Sequence, residues 1–385
     1  MSLPETILQF GTGRFLRAFA DLFIHQANQA GHKGGKAEGK AVGKVVLVQS
    51  TGGERAAGLT QNHGRYHVLV RGFEKGQTVE RLEECESISR ALVAQTQWNE
   101  ILKVAQSHDL KVILSNTTEA GYELFPEDKP TDAPPKSFPA KLLAVLRGRF
   151  EAGAAPLAIV PCELRENNAR ILREIVINLA REWKLDGAVV DYVANKCTWH
   201  NTLVDRIVTG TPAGHPLLEK DPMLIACEPY ALFAIEEIPG SPRWIEHPSI
   251  IWTPDVLPYF LRKVRLLNGA HTALLIRSWP KGFKIVRDAV NDATLGPWLT
   301  KLLETEVVPV LEGRVDKPLE FAHEVLDRFR NPFLDHKLAD ISLHHDQKVQ
   351  VRLVPSREEY RSKFGKPAPL LSEVLADGGK LVDPA

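Results

Sequence analysis

Apolar residues in the first half of the chain follow two alternating patterns. Short continuous apolar runs, which are typical of strands buried on both faces of a parallel sheet, lie at 6–10, 44–49, 110–115 and 157–161. Between them, apolar residues recur at helical spacing near 98–107, 139–150 and 167–182. Two further segments, 65–72 and 78–82, have the pattern of an antiparallel addition to the sheet. The alternation predicts a doubly wound α/β domain over residues 1–195.

After residue 195 the strand patterns mostly disappear. Helices are predicted at 202–207, 230–235, 258–278, 300–312, 319–329 and 370–375. The sequence therefore predicts a second, mainly α-helical domain over residues 196–385. Two segments are expected to be irregular: a Gly- and Lys-rich surface insertion at 30–44, expected to be mobile, and an exposed loop rich in Pro and Asp at 126–135.

Composition and charge restrict the class of protein. The 385 residues are 44% hydrophobic, and this length suits two domains, each with an ample core. The 48 basic and 48 acidic side chains leave no net charge, which argues against a nucleic-acid partner or a polybasic membrane contact. No apolar run approaches the roughly 20 residues of a membrane span, and no signal peptide is recognisable at the amino terminus. A cytoplasmic protein with no membrane partner is expected.

Neither the cysteines nor the histidines indicate a metal site. The four cysteines are widely scattered and lack ligand spacing: Cys85, Cys162, Cys197 and Cys227. Free thiols in a reducing compartment are the simplest interpretation. The run His344-His345-Asp346 is the strongest metal-like cluster, but adjacent residues on a helix or strand point apart. We expect no metal.

A glycine turn, Gly11-Thr12-Gly13-Arg14-Phe15, follows the first predicted strand directly and opens a helical pattern. Strand, glycine turn and helix in this order is the context that a dinucleotide-binding, Rossmann-like fingerprint requires. Gly11 permits the tight turn, and Gly13 lets backbone amides approach a pyrophosphate. The third glycine of the usual motif is absent, with Leu16 in its place. We interpret residues 11–15 as part of a cofactor site.

The predicted helix 258–278 carries three polar residues suited to carbonyl chemistry: Lys263, Asn268 and His271. At about 100° per residue, they fall within roughly a 140° arc of an α-helix, over about 12 Å of its axis. An amine, a carboxamide and an imidazole on one face can take a proton from an alcohol and hold the resulting oxyanion. A cofactor on one domain and a reactive helix on another is a common plan for dehydrogenases.

Taken together, these residues resemble the mannitol dehydrogenase family of polyol-specific long-chain dehydrogenases. The resemblance runs almost the full length and includes Gly11-x-Gly13-x-Phe15-x-Arg17, residues 115–121, 138–141 and 202–206, Glu228-Pro229, and the Lys263/Asn268/His271 spacing. Residues 115–121, 266–272 and 325–333 look closest to the tagaturonate reductase (altronate oxidoreductase) branch.

The resemblance implies a zinc-independent, NAD(P)-linked interconversion of a ketone and a secondary alcohol on a small sugar acid or polyol. By position, Lys263 would be the general base in oxidation and the proton donor in reduction. Asn268 would hold the oxygen, and His271 would orient the substrate. The branch implies a ketohexuronate and its aldonate. The alternatives are a fructuronate/mannonate, neutral polyol or sugar-phosphate dehydrogenase of the same family, or a cofactor-binding regulatory protein that has lost catalysis.

The chain departs from the family pattern in ways that bear on the substrate. Leu164 stands where mannitol-type enzymes have an oxyanion-holding Asn. Asn167 or Asn168 could replace it geometrically, although Asn168 matches a different family Asn. The substrate-binding residues that the resemblance implies are Asn168, Asp205 and Lys348, and the charge of the substrate adds Arg352 as a fourth candidate. A hexuronate needs a cation for its carboxylate, and Lys348 and Arg352 are the candidates, with a solvated polar face as the alternative. Asp340 falls where mannitol-type enzymes place an Arg.

Cofactor preference depends on the end of the second strand. An acidic residue there usually selects NAD, but this chain has Gln49 and Ser50, and Arg55 nearby could attract a 2′-phosphate. The family branch favours NAD, and NADP stays open. Further cofactor contacts are expected from the end of the next strand: Ser115, Asn116, Thr117 and Glu119. The family includes monomers, and we expect a monomer or a small homo-oligomer.

Overall fold

The computed structural model describes residues 3–32, 41–74, 77–117, 119–377 and 381. The chain forms two compact units, one of residues 1–70 and 80–256 and the other of residues 71–79 and 257–385. Most of the predicted insertion at 30–44 lies outside the described residues, because the description stops at 32 and resumes at 41. Residues 126–135 form a loop, as the Pro- and Asp-rich composition predicts.

The first unit is built on a parallel sheet. In chain order, the described strands are β1 (Glu5–Phe10), β2 (Lys44–Gln49), β3 (Tyr66–Glu74), β4 (Gln77–Cys85), β5 (Ile88–Val93), β6 (Val112–Ser115), β7 (Ala158–Pro161), β8 (Thr198–Trp199), β9 (Thr202–Asp205), β10 (Val208–Gly210), β11 (Ile225–Cys227), β12 (Leu232–Glu236) and β13 (Ile250–Thr253). The main sheet has the order β5-β2-β1-β6-β7-β8, with every neighbouring pair parallel. The chain order reverses between β1 and β6, and this switch point is where α/β sheets bind ligands.

Helices cover the main sheet because its strands are apolar on both faces. The first unit's helices are α1 (Arg14–Arg17), α2 (Ala20–His32), α3 (Glu54–Gln61), α4 (Ala94–Gln106), α5 (Phe138–Glu151), α6 (Asn168–Glu182) and α7 (Gly187–Asp191). Leu8 and Phe10 of β1 belong to a core with residues of α4, α5 and α6. Ile7 points to the other face and packs in a core with residues of α2. The Rossmann-like fold prediction is confirmed.

Several predicted elements were wrong. Residues 202–207 and 230–235 were expected to be helical, but they contain strands β9 and β12, which pair antiparallel in a three-stranded sheet with β13. The hairpin strands β3 and β4 do not extend the main sheet; they form a separate sheet in the order β10-β11-β3-β4. Edge strand β5 was missed. Short apolar runs fit helix and strand patterns equally well, and only their pairing partners decide between them.

Strands therefore continue well beyond the predicted domain boundary after residue 195, and the first compact unit extends to residue 256. The second unit is mainly helical, as predicted. Its helices are α8 (Leu257–Leu261), α9 (Gly269–Ser278), α10 (Val286–Asn291), α11 (Leu295–Leu302), α12 (Val308–Leu311), α13 (Pro318–Phe329), α14 (Leu338–Ser342), α15 (His345–Arg352), α16 (Val354–Phe364) and α17 (Pro369–Asp377). None of the described helices combines the length and the apolar character needed to cross a membrane.

A buried polar pair lies directly beneath the glycine turn. Gln9 and Asp21 are both fully buried, and the Gln9 amide Nε2 donates to the Gly11 carbonyl at 3.1 Å and to Asp21 Oδ2 at 3.2 Å. Asp21 Oδ1 has no hydrogen-bond partner within the described part of the chain. Burial raises the pKa of Asp21 to about 7, against the opposing effects of the Gln9 hydrogen bond and the Arg17 charge.

Asp21→Asn should make the stability of the protein less sensitive to pH. A carboxyl group whose pKa rises on folding keeps its proton in the folded state between about pH 4 and 7, where the unfolded chain has lost it. The Asp21 contribution to the free energy of unfolding therefore falls as the pH rises through this window, by at most about 1.4 kcal/mol per pH unit.

Denaturant unfolding between pH 5 and 8 measures this slope in wild type and variant. Glu100→Gln is the control, since Glu100 is an exposed acid paired with Lys103, and it should keep the wild-type slope. If Asp21→Asn and wild type had the same slope, the raised pKa of Asp21 would not be a source of the pH dependence.

Candidate functional site

The glycine turn brings the ends of three strands together. Gly11 has φ +120°, a conformation that side chains disfavour, and its amide donates to the Val48 carbonyl at the end of β2 at 3.1 Å. At the end of β6, the amide of Asn116 donates to the Phe10 carbonyl at 2.9 Å. A Cβ on Gly11 would lie 2.8 Å from the Asn116 carbonyl oxygen. Glycine at this position therefore allows β1 and β6 to end in contact.

The second glycine leaves backbone groups accessible. Gly13 caps α1 without a side-chain hydrogen bond, and a Cβ there would meet no described atom within 4 Å. The turn thus has open space on the side of Gly13, and its amide groups suit a phosphate. Thr12 is buried, and the Phe15 ring stacks on Phe19 with centroids 4.8 Å apart. The Arg14 side chain lies against Gly210 of β10, because a Cβ at Gly210 would fall 2.5 Å from Arg14 Nη1. These features fit a dinucleotide pyrophosphate.

At the end of β2, only one of the two predicted cofactor contacts has a side-chain atom without a hydrogen-bond partner in the described chain. Gln49 is buried, and its amide caps its own loop: Oε1 accepts from the Ala56 amide at 2.8 Å and Nε2 donates to the Thr51 carbonyl at 2.8 Å. Ser50 Oγ is buried and has no hydrogen-bond partner among the residues described. Of the two residues predicted here, Ser50 is therefore the one whose side-chain oxygen has no partner among the described residues.

Glu163, at the end of β7, organises the loop after β6. Its carboxylate accepts hydrogen bonds from Ser115 Oγ at 3.0 Å, from the Thr117 amide at 2.9 Å, from Thr117 Oγ1 at 3.0 Å and from the Tyr122 hydroxyl at 3.3 Å. Burial raises the pKa of Glu163, while these hydrogen bonds oppose the increase. The hydroxyls of Ser115 and Thr117 thus point to Glu163, and the Asn116 amide Nδ2 donates to the Cys162 carbonyl at 3.3 Å.

The remaining predicted residues of the first unit lie in different surroundings. The fully buried Asn168 carboxamide connects three elements, because Nδ2 donates to the Pro161 and Glu163 carbonyls, each at 3.0 Å, and Oδ1 accepts from the Thr202 amide at 3.0 Å. Asp205 is buried at the end of β9. The side chain of Glu119 lies outside the described part of the chain. Asn168 and Asp205 stay predictions as substrate contacts.

Asn167 differs from its neighbour Asn168. It is exposed and adopts a left-handed conformation, φ 53° and ψ 39°, at the amino-terminal cap of α6, where its side chain makes no capping hydrogen bond. Leu164, at the place of the missing family Asn, is half-buried. Of the two asparagines considered as replacements, Asn167 is the exposed one, whereas the carboxamide of Asn168 is engaged with the backbone.

In the second unit, the predicted reactive helix contains a π-helical segment. Helix α8 continues through a π-helix, Arg262–Asn268, into α9. In a π-helix residue i is hydrogen-bonded to i+5, so five residues span just over one turn. Lys263 and Asn268 therefore lie closer to one face than the sequence prediction, which assumed a regular α-helix, implied. π-Helical segments are rare and occur frequently at functional sites.

Two polar atoms on this helix are buried without a partner. Asn268 Nδ2 and His271 Nε2 have no hydrogen-bond partner within residues 3–32, 41–74, 77–117 and 119–377. Both residues are buried, whereas Lys263 is half-buried. Burial lowers the pKa of His271 well below its usual value, and the neighbouring His336, Arg352 and Arg328 lower it further. His271 is therefore a neutral ring at pH 7, in which one nitrogen donates a hydrogen bond and the other accepts one.

Cationic side chains from α15 contact residues of α9 and α14. Arg352 Nη1 donates to Thr272 Oγ1 at 3.3 Å, and that hydroxyl donates to the Asn268 carbonyl at 3.0 Å. The Lys348 ammonium donates to the Ile341 carbonyl at 2.9 Å. A Cβ on Gly269 would lie 3.5 Å from the Arg352 carbonyl oxygen, an ordinary van der Waals distance, so α15 packs against α9 at this position.

His336 is the residue of this cluster that sequence reasoning missed. Its ring contacts His271 edge to face, with centroids 4.9 Å apart, and Nδ1 is buried without a hydrogen-bond partner among the described residues. It lies 65 positions after His271, outside any recognised motif. The signal available in the sequence was only a histidine near Asp340 and Lys348, both of which were already singled out.

The cysteines and the His344-His345 pair lie in separate surroundings. All four cysteines are buried free thiols. No group of three or more His, Cys, Asp or Glu residues in the described ranges is arranged to hold a metal ion. His344 is exposed in a left-handed conformation, φ 55°, whereas His345 is buried at the start of α15, so the two adjacent rings lie in different surroundings.

Glu163→Gln should destabilise the first unit. A carboxamide offers one acceptor oxygen and places an NH2 group against donors that now face a carboxylate, and the Thr117 amide cannot rotate to compensate. We expect the free energy of unfolding to fall by about 1–3 kcal/mol, measured by denaturant titration. Glu166→Gln is the matched control, since Glu166 is an exposed acid three residues away. Equal stability of Glu163→Gln and wild type would show that this network contributes little.

Family models and curated relatives match this chain along most of its length. A model of the mannitol dehydrogenase Rossmann domain matches residues 5–246, and a model of the mannitol dehydrogenase C-terminal domain matches residues 255–377. The altronate oxidoreductase of Bacillus subtilis is 36% identical over 383 residues, covering 94% of this chain and 76% of the relative. The altronate oxidoreductase of Cronobacter sakazakii is 34% identical over 392 residues, covering 97% and 79%.

Solved structures share the fold. The mannitol 2-dehydrogenase of Pseudomonas fluorescens, in a ternary complex with NAD and D-mannitol, superimposes with a TM-score of 0.81 at 22% identity, covering 97% of this chain and 78% of that chain. A substrate-free D-sorbitol dehydrogenase gives a TM-score of 0.82 at 20% identity, covering 98% of this chain and 80% of that chain.

The family models and the curated relatives establish the family of this chain. Both domains match the corresponding family models, and the relatives align along almost the whole length of the chain. The chain belongs to the mannitol dehydrogenase family.

Proposed function

We propose that this protein is an NAD-dependent oxidoreductase that interconverts a ketohexuronate and its aldonate, of the tagaturonate/altronate type. The observation that carries the proposal is the pair of buried polar atoms, Asn268 Nδ2 and His271 Nε2, that lack a partner in the described chain on the helix that also bears Lys263. Buried polar atoms in proteins nearly always have a hydrogen-bond partner, so these two atoms are available to a substrate or to a bound water molecule. The names of the relatives indicate the substrate class.

The first unit would hold the dinucleotide. Its pyrophosphate fits the turn at residues 11–15, Gly11 to Phe15, and the ends of β2 and β6 would contact the nucleosides through Gln49, Ser50, Ser115, Asn116, Thr117 and Glu119. When bound, NADH supplies a hydride. NADP is the alternative, because the end of β2 lacks a carboxylate that would repel a 2′-phosphate. Measuring KM for NADH and NADPH in one assay decides between the two cofactors.

Groups of the second unit would act on the substrate oxygen. In reduction, a hydride adds to the keto carbon while Lys263 Nζ gives a proton to the keto oxygen, so a ketone becomes a secondary alcohol. Asn268 Nδ2 donates a hydrogen bond to that oxygen as negative charge develops on it. The neutral His271 ring orients a neighbouring hydroxyl. In oxidation, Lys263 takes the proton back.

Charged side chains would select a sugar acid. Lys348 and Arg352 are the proposed partners of the substrate carboxylate, since charge-assisted hydrogen bonds to a carboxylate are strong. Asp205 and Asn168 are the further proposed substrate contacts, by their positions in the family pattern. A cytoplasmic location and a monomeric or small homo-oligomeric state complete the proposal.

Lys263→Ala should reduce kcat for ketohexuronate reduction by about 10²–10⁴-fold, because the proton donor is lost while the cofactor site is untouched. Binding of NADH, followed by its fluorescence, should change little. Lys281→Ala is the control, since Lys281 is an exposed lysine on the turn after α9. A small primary amine added to the assay should restore part of the activity of Lys263→Ala. Normal turnover by Lys263→Ala at neutral pH would disprove the base assignment.

A panel of ketohexuronates, neutral ketoses and ketose phosphates tests the substrate class. Wild type should oxidise NADH fastest with a ketohexuronate. Lys348→Met and Arg352→Met should each raise KM for that substrate by about tenfold or more and leave KM for a neutral ketose nearly unchanged. Lys366→Met, at an exposed position, is the control.

The panel also separates the alternatives. Preference for a neutral ketose would indicate a polyol dehydrogenase, and preference for a phosphate would indicate a sugar-phosphate dehydrogenase. Preference for fructuronate over tagaturonate would assign the mannonate branch. NADH binding without turnover of any compound would favour a regulatory protein.

A further inference from the structure

We propose that His336 contacts the substrate and recognises a hydroxyl group between the reacting carbon and the carboxylate. The inference rests on the proposed function and deepens it, because it names a specificity-determining residue in the second unit. Four observations carry it: an ordered backbone, contact with His271, a buried ring nitrogen without a partner, and proximity to Lys348.

Backbone hydrogen bonds hold His336 in place although it lies between helices α13 and α14. Its carbonyl accepts from the Val286 amide at 2.9 Å. The next residue, Lys337, pairs with Ile285 in an antiparallel bridge, and the Leu338 amide donates to the Lys284 carbonyl at 2.9 Å. A side chain carried by such a paired segment can be positioned as accurately as one on a helix.

The ring of His336 extends the polar face of α9. It meets the His271 ring edge to face, at 72° between the ring planes, and the His271 ring also packs on Phe329 with centroids 4.0 Å apart. His271 in turn lies one helical turn after Asn268. The three residues therefore form a continuous row that starts at the proposed oxyanion donor.

All three members of the row have a buried polar atom without a hydrogen-bond partner in the described chain: Asn268 Nδ2, His271 Nε2 and His336 Nδ1. Buried polar atoms are nearly always hydrogen-bonded, so three neighbouring atoms without a partner point to a polar ligand. His336 as a whole residue is half-buried, and its Nδ1 atom is buried. A ligand with several hydroxyl groups matches this row.

His336 and His271 have different charged neighbours. Burial lowers the pKa of His336 to about 4, with Asp340 raising it and Lys348 lowering it, so the ring is neutral at pH 7. A neutral imidazole suits a hydroxyl, because it can accept a hydrogen bond or donate one. The charge of Lys348 lowers the pKa of His336, whereas the charges of Arg352 and Arg328 lower the pKa of His271. His336 thus lies between the proposed oxyanion donor and a proposed carboxylate partner.

His336→Phe keeps an aromatic ring against His271 and removes both nitrogens. We expect KM for the preferred substrate to rise about tenfold while kcat stays within about threefold, because the lost hydrogen bond lies away from the reacting carbon. His336→Asn places an amide near the position of Nδ1 and should recover most of the wild-type KM. His323→Phe is the matched control, since His323 is exposed on α13 and paired with Glu304.

Substrate analogues complete the test. Analogues that each lack one hydroxyl should include one for which wild type and His336→Phe have equal KM, and that analogue identifies the hydroxyl recognised. The proposal is overturned if His336→Phe keeps the wild-type KM, or if His336→Phe and His336→Asn are equally impaired with every analogue. The second outcome would mean that His336 only supports the packing of His271 or binds a buried water molecule.

Two controls keep the result interpretable. Thermal unfolding and NADH binding establish that each variant is folded, and His336→Asn tests the contact even if His336→Phe fails to fold. The variants are measured on whichever panel substrate wild type prefers. If wild type reduces no ketohexuronate, the proposed function fails, while the comparison of the His336 variants on the preferred substrate still decides whether this residue makes a contact.

Discussion

The glycine turn of the first unit depends on the close approach of the ends of two parallel strands, β1 and β6. At Gly11 the end of β1 is hydrogen-bonded to β2, and the Gly11 Cα lies against the backbone of Asn116 after β6, so that even a methyl group would be too close to the Asn116 carbonyl. Polar side chains stabilise this junction: Gln9 and Asp21 lie beneath it, and Glu163 collects the donors of the loop after β6. The backbone of the turn is thus held from below and from the side, and its amide groups are left for a ligand.

In the second unit, the constraint is the cost of burying polar atoms. If α9 were apolar on every face, its burial would leave no polar atom without a hydrogen bond. Instead, this helix brings the Asn268 carboxamide and the His271 imidazole into the interior, and one atom of each has no partner among the described residues. The π-helical segment before α9 adds to this cost, since π-helices are rare and less favourable than α-helices. Such departures from ideal structure concentrate where a protein binds or reacts. The cost is understandable if a polar substrate completes the hydrogen bonds of Asn268, His271 and His336.

The spacing of apolar residues was sufficient to predict an element where that spacing fits only a helix or only a strand. The runs that became β1 and β2, and the periodic stretches that became α5 and α13, are predicted within about two residues, because their apolar spacing has one interpretation. Prediction failed for β9 and β12, whose short apolar runs suit a helix or a strand and become strands through pairing with each other. It missed β5, where Ser89 and Arg90 interrupt the apolar pattern of a strand at the edge of the sheet.

The amino-acid sequence by itself determined the glycine turn, the doubly wound alternation of the first unit, and the spacing of Lys263, Asn268 and His271, because each is a pattern of residues within a turn, a helix or a succession of short segments. Tertiary structure alone decided which polar groups keep a free hydrogen-bonding atom. Gln49 and Asn168 have theirs occupied by backbone groups of the fold, whereas Ser50, Asn268 and His271 do not. His336 joins His271 across 65 positions of chain. Contacts between residues so far apart follow from packing, which no local pattern of residues encodes.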